Sequence, residues 1–408
     1  MVRSVETFCH DSICVSRDST GGYSGTVGTQ TQWSQFAESE RRVVLELLVH
    51  GPLSRTELAG RLDLSAPSLT RLTRPLIVSG LVTEADEVQP TGNGRPSQPL
   101  GIDPARGSFV GVKLTGTTAF AVLTDLGAEI LRSREADLGD RSPQSVTAVL
   151  SDLVAGVCEG VTPDAVGIGI GGQVRDGGLI RRAPFLHWTD VDLGGPLMRR
   201  TGLPVVVSND LDALMEAEHW FGDGRDVRSF AAITIGAGVG TGLIVNDRLV
   251  GGPDSGIGLT GHFPLDPFGP TCPDGHRGCA EALLVQESIR SQTAVLLGRH
   301  VTYDDVLDLA QDGDPTAAQV VARSSHALGV LVAAVANIAQ PERIILTGEG
   351  VRLAHVGRSH LHRAIAQMRD PIASDLDVRV IDDDPALWAR GAAAVAIQHT
   401  VTDRLPAM

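Results

Sequence analysis

The chain has few cysteines, no long apolar run and no excess of positive charge. Five cysteines in 408 residues do not make a disulfide framework, and a reducing cytoplasm suits them best. Cys9 and Cys14 lie in the N-terminal stretch and Cys158 reads as a small buried residue, which leaves Cys272 and Cys279 as a pair. No apolar run approaches a membrane span, and the N-terminus lacks the apolar core of a signal peptide. The net charge of −15 argues against general nucleic-acid affinity. That sum hides a local reversal, because six Arg face three acids between Arg41 and Arg74. The first thirty or so residues, rich in Ser, Thr and Gly, show no sustained periodicity and are expected to be disordered or an over-long start. What is present is 42% hydrophobic residues over a length that predicts two or three domains with sizeable cores.

Residues 38–80 carry three short helical patterns. Val43, Val44, Leu47 and Leu48 form one apolar face, which Gly51-Pro52 ends. Ser54 and Glu57 make a capping box for a second helix with Leu58 and Leu62 inward. Ser65 caps a third helix, on which Leu69, Leu72 and Leu76 face in and Ser68, Thr70, Arg71 and Arg74 face out. Two short helices joined by a tight turn, the second offering Ser, Thr and Arg, form a helix-turn-helix pattern. A small helical bundle with a solvated face reads the same way. Leu81-Val82-Thr83 and Pro99–Ile102 read as a winged hairpin. Gly94-Arg95-Pro96 is either an arm laying Arg95 in a minor groove or a plain linker. Pro75 removes a helix hydrogen bond and predicts a kink or stop near Leu72.

Phe109–Asp125 and Phe230–Asn246 each read as apolar strand, Thr/Gly turn, apolar strand and Asp or Asn turn. The repeat suggests two related α/β lobes facing one another across a cleft, with chance similarity of two hairpins as the alternative. Val205–Ser208 reads as a buried strand ending in Asn209-Asp210, a pair suited to adjacent hydroxyls of a polyol or to capping the following helix. Further along, His262 precedes Cys272 by ten residues, and Cys279 lies seven beyond with Gly275 and Gly278 between. A cysteine-rich turn and a distant His suit tetrahedral Zn²⁺, and two small buried cysteines with a surface His are the plain alternative.

These segments together resemble the ROK family of sugar kinases and sugar-responsive repressors. Pro52–Ala59, Ser65–Leu76, Gly80–Val82 and Gly94–Pro96 match the winged N-terminal domain of its repressors, which its kinases lack. Gly261, His262, Cys272, Gly275, Gly278, Cys279 and Glu281 match its zinc loop, with Asp274 where the family has a middle Cys. The resemblance implies an N-terminal winged helix-turn-helix followed by a two-lobed actin-like ATPase (ribonuclease H-like) α/β fold. It also implies sugar contacts at Asn209, Asp210, His262 and Glu281. In kinases of the family both glycine turns hold ATP phosphates, and an Asp in the first serves the metal. Lys113 stands at that position here, and a cation cannot hold Mg²⁺. Leu259 replaces an acceptor carboxylate of the family's sugar site, which should cost about 1.5–3 kcal/mol of sugar affinity.

The expected organisation is a tail over 1–35, a DNA-binding domain over 36–104, a first lobe over 105–228 and a second over 229–408. The second lobe would contain the zinc loop 261–281 and a terminal helix returning to the first. The expected function is that of a cytoplasmic, non-enzymatic, sequence-specific regulator, read as a repressor. It would bind a palindromic double-stranded operator as a homodimer or homotetramer through Ser65, Ser68, Thr70, Arg71, Arg74 and Arg95. A sugar or sugar derivative would control it. Structural Zn²⁺ would be held by His262, Cys272, Cys279 and Asp274, with His276 as the other candidate for the fourth place. The rival readings are a regulator whose sensor no longer binds sugar and an ATP-dependent sugar kinase with Asp210 as base.

Overall fold

The computed structural model describes residues 6–10, 13–17, 23–27, 32–84, 98–175 and 178–402. Arg95 and its neighbours lie outside them. Contacts divide the chain into two compact units, residues 1–225 with 388–408, and residues 226–387.

The first unit opens on three antiparallel strands, β1 (Glu6–His10), β2 (Ile13–Arg17) and β3 (Tyr23–Val27). Regular structure therefore occurs where a tail without any was expected. Each strand holds β-branched residues, which suit extended backbone.

The helical patterns then follow in order: α1 (Glu38–His50), α2 (Arg55–Arg61) and α3 (Ala66–Val78). Val43, Val44, Leu47 and Leu48 are buried on α1, which stops at Gly51 with φ 77°. Ser54 and Glu57 form the reciprocal capping box that starts α2. On α3 the buried residues are Leu69, Thr73 and Leu76, while Leu72 is only half-buried. The Thr73 hydroxyl enters the core because it donates to the Leu69 carbonyl at 3.0 Å. Pro75 does not end α3, which runs on to Val78, and this corrects the expectation of a stop near Leu72. Pro75 and Arg71 are both exposed, while the buried Leu76 anchors the last turn. A hairpin of β4 (Val82–Glu84) and β5 (Leu100–Ile102) closes this region, pairing Val82 with Ile102.

The rest of the unit is an α/β lobe. It comprises β6 (Ser108–Leu114), β7 (Thr118–Asp125), β8 (Ile130–Asp137), α4 (Pro143–Cys158), β9 (Ala165–Ile170), β10 (Gln173–Arg175), β11 (Leu179–Ala183), β12 (Trp188–Asp192), α5 (Gly194–Thr201), β13 (Val205–Asn209) and α6 (Asp210–Phe221). Its main sheet runs β8-β7-β6-β9-β13; β6 pairs antiparallel with β7 and parallel with β9. The terminal helix, which the second unit leads into as α13 (Pro385–Thr402), lies on this sheet. At Gly111 of β6 and Gly167 of β9 any side chain would strike the α13 backbone, so glycine lets the helix approach. Ala393, Ala396, Ile397 and Val401 of α13 share one core with Val43, Leu47, Leu58 and Leu69. Arg225 adds polar joints, donating to the carbonyls of Val49 at 2.5 Å and Leu48 at 2.9 Å at the end of α1.

The second unit repeats the lobe. Its elements are β14 (Phe230–Ile235), β15 (Val239–Val245), β16 (Arg248–Leu249), α7 (Ala280–Leu284), α8 (Gln286–Leu297), α9 (Tyr303–Gln311), α10 (Pro315–Ala339), β17 (Arg343–Thr347), α11 (Arg352–Val356), α12 (Arg358–Met368) and β18 (Asp377–Val380). The sheet order is β16-β15-β14-β17-β18, again three antiparallel strands followed by two parallel ones. Gly329 admits α12 close to α10, with Leu361 and Ala364 against it. By length and composition α10 could cross a membrane, contrary to the expectation that no apolar run approaches a span. Much of it is buried, in the core of this unit.

Candidate functional site

In the first unit α3 presents Ser65, Thr70, Arg71 and Arg74 to solvent, with Ser68 half-buried. Ser65 caps the helix, its hydroxyl accepting from the Ser68 N–H at 3.4 Å, and the Thr70 hydroxyl donates back to the Ala66 carbonyl at 2.9 Å. Both side chains are thus partly committed to the helix itself. No acid among the described residues forms an ion pair with Arg71 or Arg74, so the outer face of α3 keeps its positive charge.

Asn209 and Asp210 stand where β13 becomes α6. The Asn209 side-chain oxygen accepts from Leu211 and Asp212 N–H groups, each at 3.0 Å, and its amide nitrogen donates to the Gly172 carbonyl at 2.9 Å. The cap role is therefore filled. Asp210 accepts from the Leu211 N–H at 2.9 Å through one oxygen and pairs with the Lys113 ammonium through the other. Lys113 and Asp210 are 14% and 15% exposed, and the ammonium also sits 4.2 Å from the centroid of the Trp388 ring. The sequence flagged Lys113 as a lost acid but not its partner, which lies 97 residues away.

Behind this pair α6 carries acids that sequence reading did not single out, with Glu216 and Glu218 buried and Asp212 half-buried. Burial, and then the charge of Asp210, push the Asp212 carboxyl up to about 6. Burial likewise raises Glu216, although Gln398 donates to it at 2.6 Å, and Glu218, although the Asp223 N–H donates at 2.8 Å.

The first hairpin turn is sealed by its own side chain. The Thr115 hydroxyl accepts from the N–H groups of Thr117 at 3.2 Å and Thr118 at 2.9 Å. Amides that could face an anion are spent inside the turn.

In the second unit the loop after the short turn Leu259–His262 brings the metal candidates together. Cys272 and Cys279 are buried, and Gly275 and Gly278 turn the chain with φ 88° and 59°. A side chain at Gly278 would strike the Asp266 carbonyl. The ligand atoms of His262, Cys272 and Cys279 lie within 4.8 Å of one another, and so do those of His262, Cys272, Asp274 and Glu281. The expected quartet is therefore split between two overlapping groups, and Glu281, expected as a sugar contact, joins the second. His262 Nε2 is 3.3 Å from Asp274, and its Nδ1 is 3.5 Å from Glu281 and 4.0 Å from the Cys272 sulfur. The His276 Nδ1 is 3.6 Å from that sulfur, with its ring 4.4 Å from that of His262. Burial and the neighbouring Cys272 push the Cys279 thiol up. Imidazole with two sulfurs, or imidazole with one sulfur and two carboxylates, are both donor sets of the kind Zn²⁺ takes. Leu259, in place of the family's acid, is 64% exposed.

The second hairpin turn, Gly236–Gly240, is open by comparison. Its Ala237 N–H donates at 3.3 Å to the carboxylate of Glu349, a contact the sequence did not signal.

A family model described as the ROK family matches residues 109–399. The chain belongs to the ROK family. It is 28% identical over 315 residues to the DNA-binding transcriptional dual regulator NagC of Escherichia coli K12, covering 74% of this chain and 77% of NagC. It is 26% identical to the xylose repressor of Bacillus spizizenii, covering 76% and 81%. The glucokinase of Thermotoga maritima is 34% identical but covers 59% of this chain and 81% of the kinase. Among solved structures, a ROK family transcriptional regulator homologous to the E. coli MLC protein superposes with a TM-score of 0.75 at 25% identity, covering 90% of this chain and 99% of that one. This ROK chain thus has both regulators and a sugar kinase among its relatives.

Proposed function

We propose that this ROK chain is a sequence-specific transcriptional repressor of sugar-related genes whose DNA affinity is set by a sugar effector. One observation carries the reading: α1, α2, α3 and the β4-β5 hairpin precede the matched family region, and the similarity to a regulator extends over 90% of the chain. Arg71 and Arg74, with Ser65, Ser68 and Thr70, are the proposed groove contacts, and Arg95 the proposed arm. Paired α3 helices in a homodimer or homotetramer would meet the halves of a palindrome. Asn209, Asp210, His262 and Glu281 are the proposed effector contacts. A structural Zn²⁺ on His262, Cys272 and Cys279, completed by Asp274 or by His276, would hold His262 in place. The protein would work in the cytoplasm and would not be an enzyme, because Lys113 engages the carboxylate a kinase would use as base.

A second reading, a regulator whose sensor no longer takes sugar, is favoured by the exposed Leu259 and by the internal partners of both Asn209 and Asp210. Binding of the DNA upstream of its own coding sequence, with and without glucose, xylose and N-acetylglucosamine, tests both. Specific binding released by one sugar supports the first, and specific binding indifferent to sugar supports the second. Arg71→Ala should weaken specific binding by about 1–3 kcal/mol. Unchanged affinity in that variant would remove α3 as the reading helix.

A further inference from the structure

We propose that Phe185 is a specificity-determining residue of the effector site, presenting its ring to the C–H face of a cyclic sugar. The inference rests on the reading of Asn209 and Asp210 as effector contacts. Phe185 sits on a short turn, Pro184–Leu186, and is 50% exposed while Ala183, Leu186 and Trp188 around it are buried. The exposure is built in. Trp188 is tied down by its indole N–H, which donates to the Arg141 carbonyl at 2.7 Å, and His187 turns the chain with φ 58°. Scattered surface apolar residues are ordinary, so position decides the case.

Two glycines set that position. A Cβ on Gly116, in the first hairpin turn, would lie 2.8 Å from the Phe185 carbonyl, so glycine lets the turn and this loop touch. A Cβ on Gly171 would lie 3.4 Å from the Asp210 carboxylate and 3.5 Å from the Phe185 ring. Any side chain there would occupy the space between ring and carboxylate, and glycine leaves it open. Next to it, the Gly172 carbonyl is held by the Asn209 amide. An aromatic ring and a carboxylate thus border one small gap in the first unit, and the Asn209 amide is bonded to the residue beside it.

A cyclic sugar has the matching chemistry. Its equatorial hydroxyls suit a carboxylate and an amide, and its axial C–H groups form an apolar face that packs on an aromatic ring. An aliphatic or polar residue at 185 would keep the hydrogen bonds and lose the stacking.

The test is calorimetric titration of the full chain with glucose, xylose and N-acetylglucosamine, using wild type, Phe185→Ala and Phe185→Tyr. Whichever sugar wild type binds should bind Phe185→Ala about tenfold more weakly or worse. Phe185→Tyr should restore binding to within about threefold. The midpoint of thermal unfolding should not move in either variant, which separates stacking from a structural role. Equal affinity of wild type and Phe185→Ala would overturn the role of Phe185 and leave the effector reading intact. A wild type that binds none of the three sugars would remove the effector reading and this inference with it.

Discussion

The β6-β7 and β14-β15 hairpins have the same pairing and the same place in their sheets, yet their turns are stabilised differently. In the first, the Thr115 hydroxyl takes up two turn amides and Lys113, two residues before Thr115, forms an ion pair with Asp210. In the second, glycines leave the turn open and one amide binds the exposed Glu349 carboxylate. Duplicated backbone therefore does not imply duplicated chemistry. Strand pairing depends on apolar alternation and hydrogen bonds that many sequences satisfy, whereas anion or metal binding depends on one or two side chains at the turn.

The sharpest test of the difference is to remove the charge at each hairpin. Lys113→Met leaves Asp210 largely buried without its partner and should cost about 2–4 kcal/mol in urea unfolding at pH 7. An effect under about 0.5 kcal/mol would mean that the pair is solvated and that the two turns are electrostatically alike.

The metal loop belongs to the second lobe alone among the described residues, and it offers the next largest effect. Zinc-loaded protein should lose about 2 kcal/mol of stability on chelation. Cys279→Ser should abolish that response and Asp274→Cys should enlarge it, with elemental analysis giving one zinc per chain. Identical melting with and without chelator, at well under half a zinc per chain, would reduce Cys272 and Cys279 to core residues.

The half-buried Asp212 behind the first hairpin predicts a pH signature that the second lobe should lack. A carboxyl raised from 3.8 to about 6 is favoured in its neutral form by the fold. Its contribution is complete below the unfolded value and is lost as pH rises through about 6. Asp212→Asn should therefore stabilise by about 1–2 kcal/mol at pH 8, after allowance for partial solvation, and by little at pH 4. A constant difference across that range would show that Asp212 does not titrate as described.

The smallest effects lie in the turns themselves. Thr115→Ala should cost about 1 kcal/mol by releasing two amides, and Glu349→Gln should stay within about 0.5 kcal/mol because the group is exposed. Equal costs would erase the distinction between a closed and an open turn.

Much of the architecture was legible because it rests on local patterns. The buried face of α1, the capping box of α2 and the cap of α3 follow from residues a few positions apart. The two hairpins were visible as a repeat, and Gly275 and Gly278 marked the turn that brings Cys272 and Cys279 together. That α3 continues past Pro75 was not legible, because it depends on Leu76 packing into the core in the last turn. Regular strands within residues 6–27 were missed because their periodicity is short and broken by turn residues.

By itself, then, the sequence determined the fold class, the family and the identity of the side chains at each turn, since helix caps, apolar periods and glycine turns act over a few residues. Only the tertiary structure decided which of those side chains engage one another. Lys113 meets Asp210 and Trp388, Glu349 reaches Ala237, Phe185 borders the gap at Gly171, and Asp274 and Cys279 each approach the shared His262 and Cys272. Each of these contacts joins residues set by chain packing rather than by local pattern. Ion pairs, metal sites and stacking surfaces depend on distances of a few ångströms, which spacing along the chain does not encode.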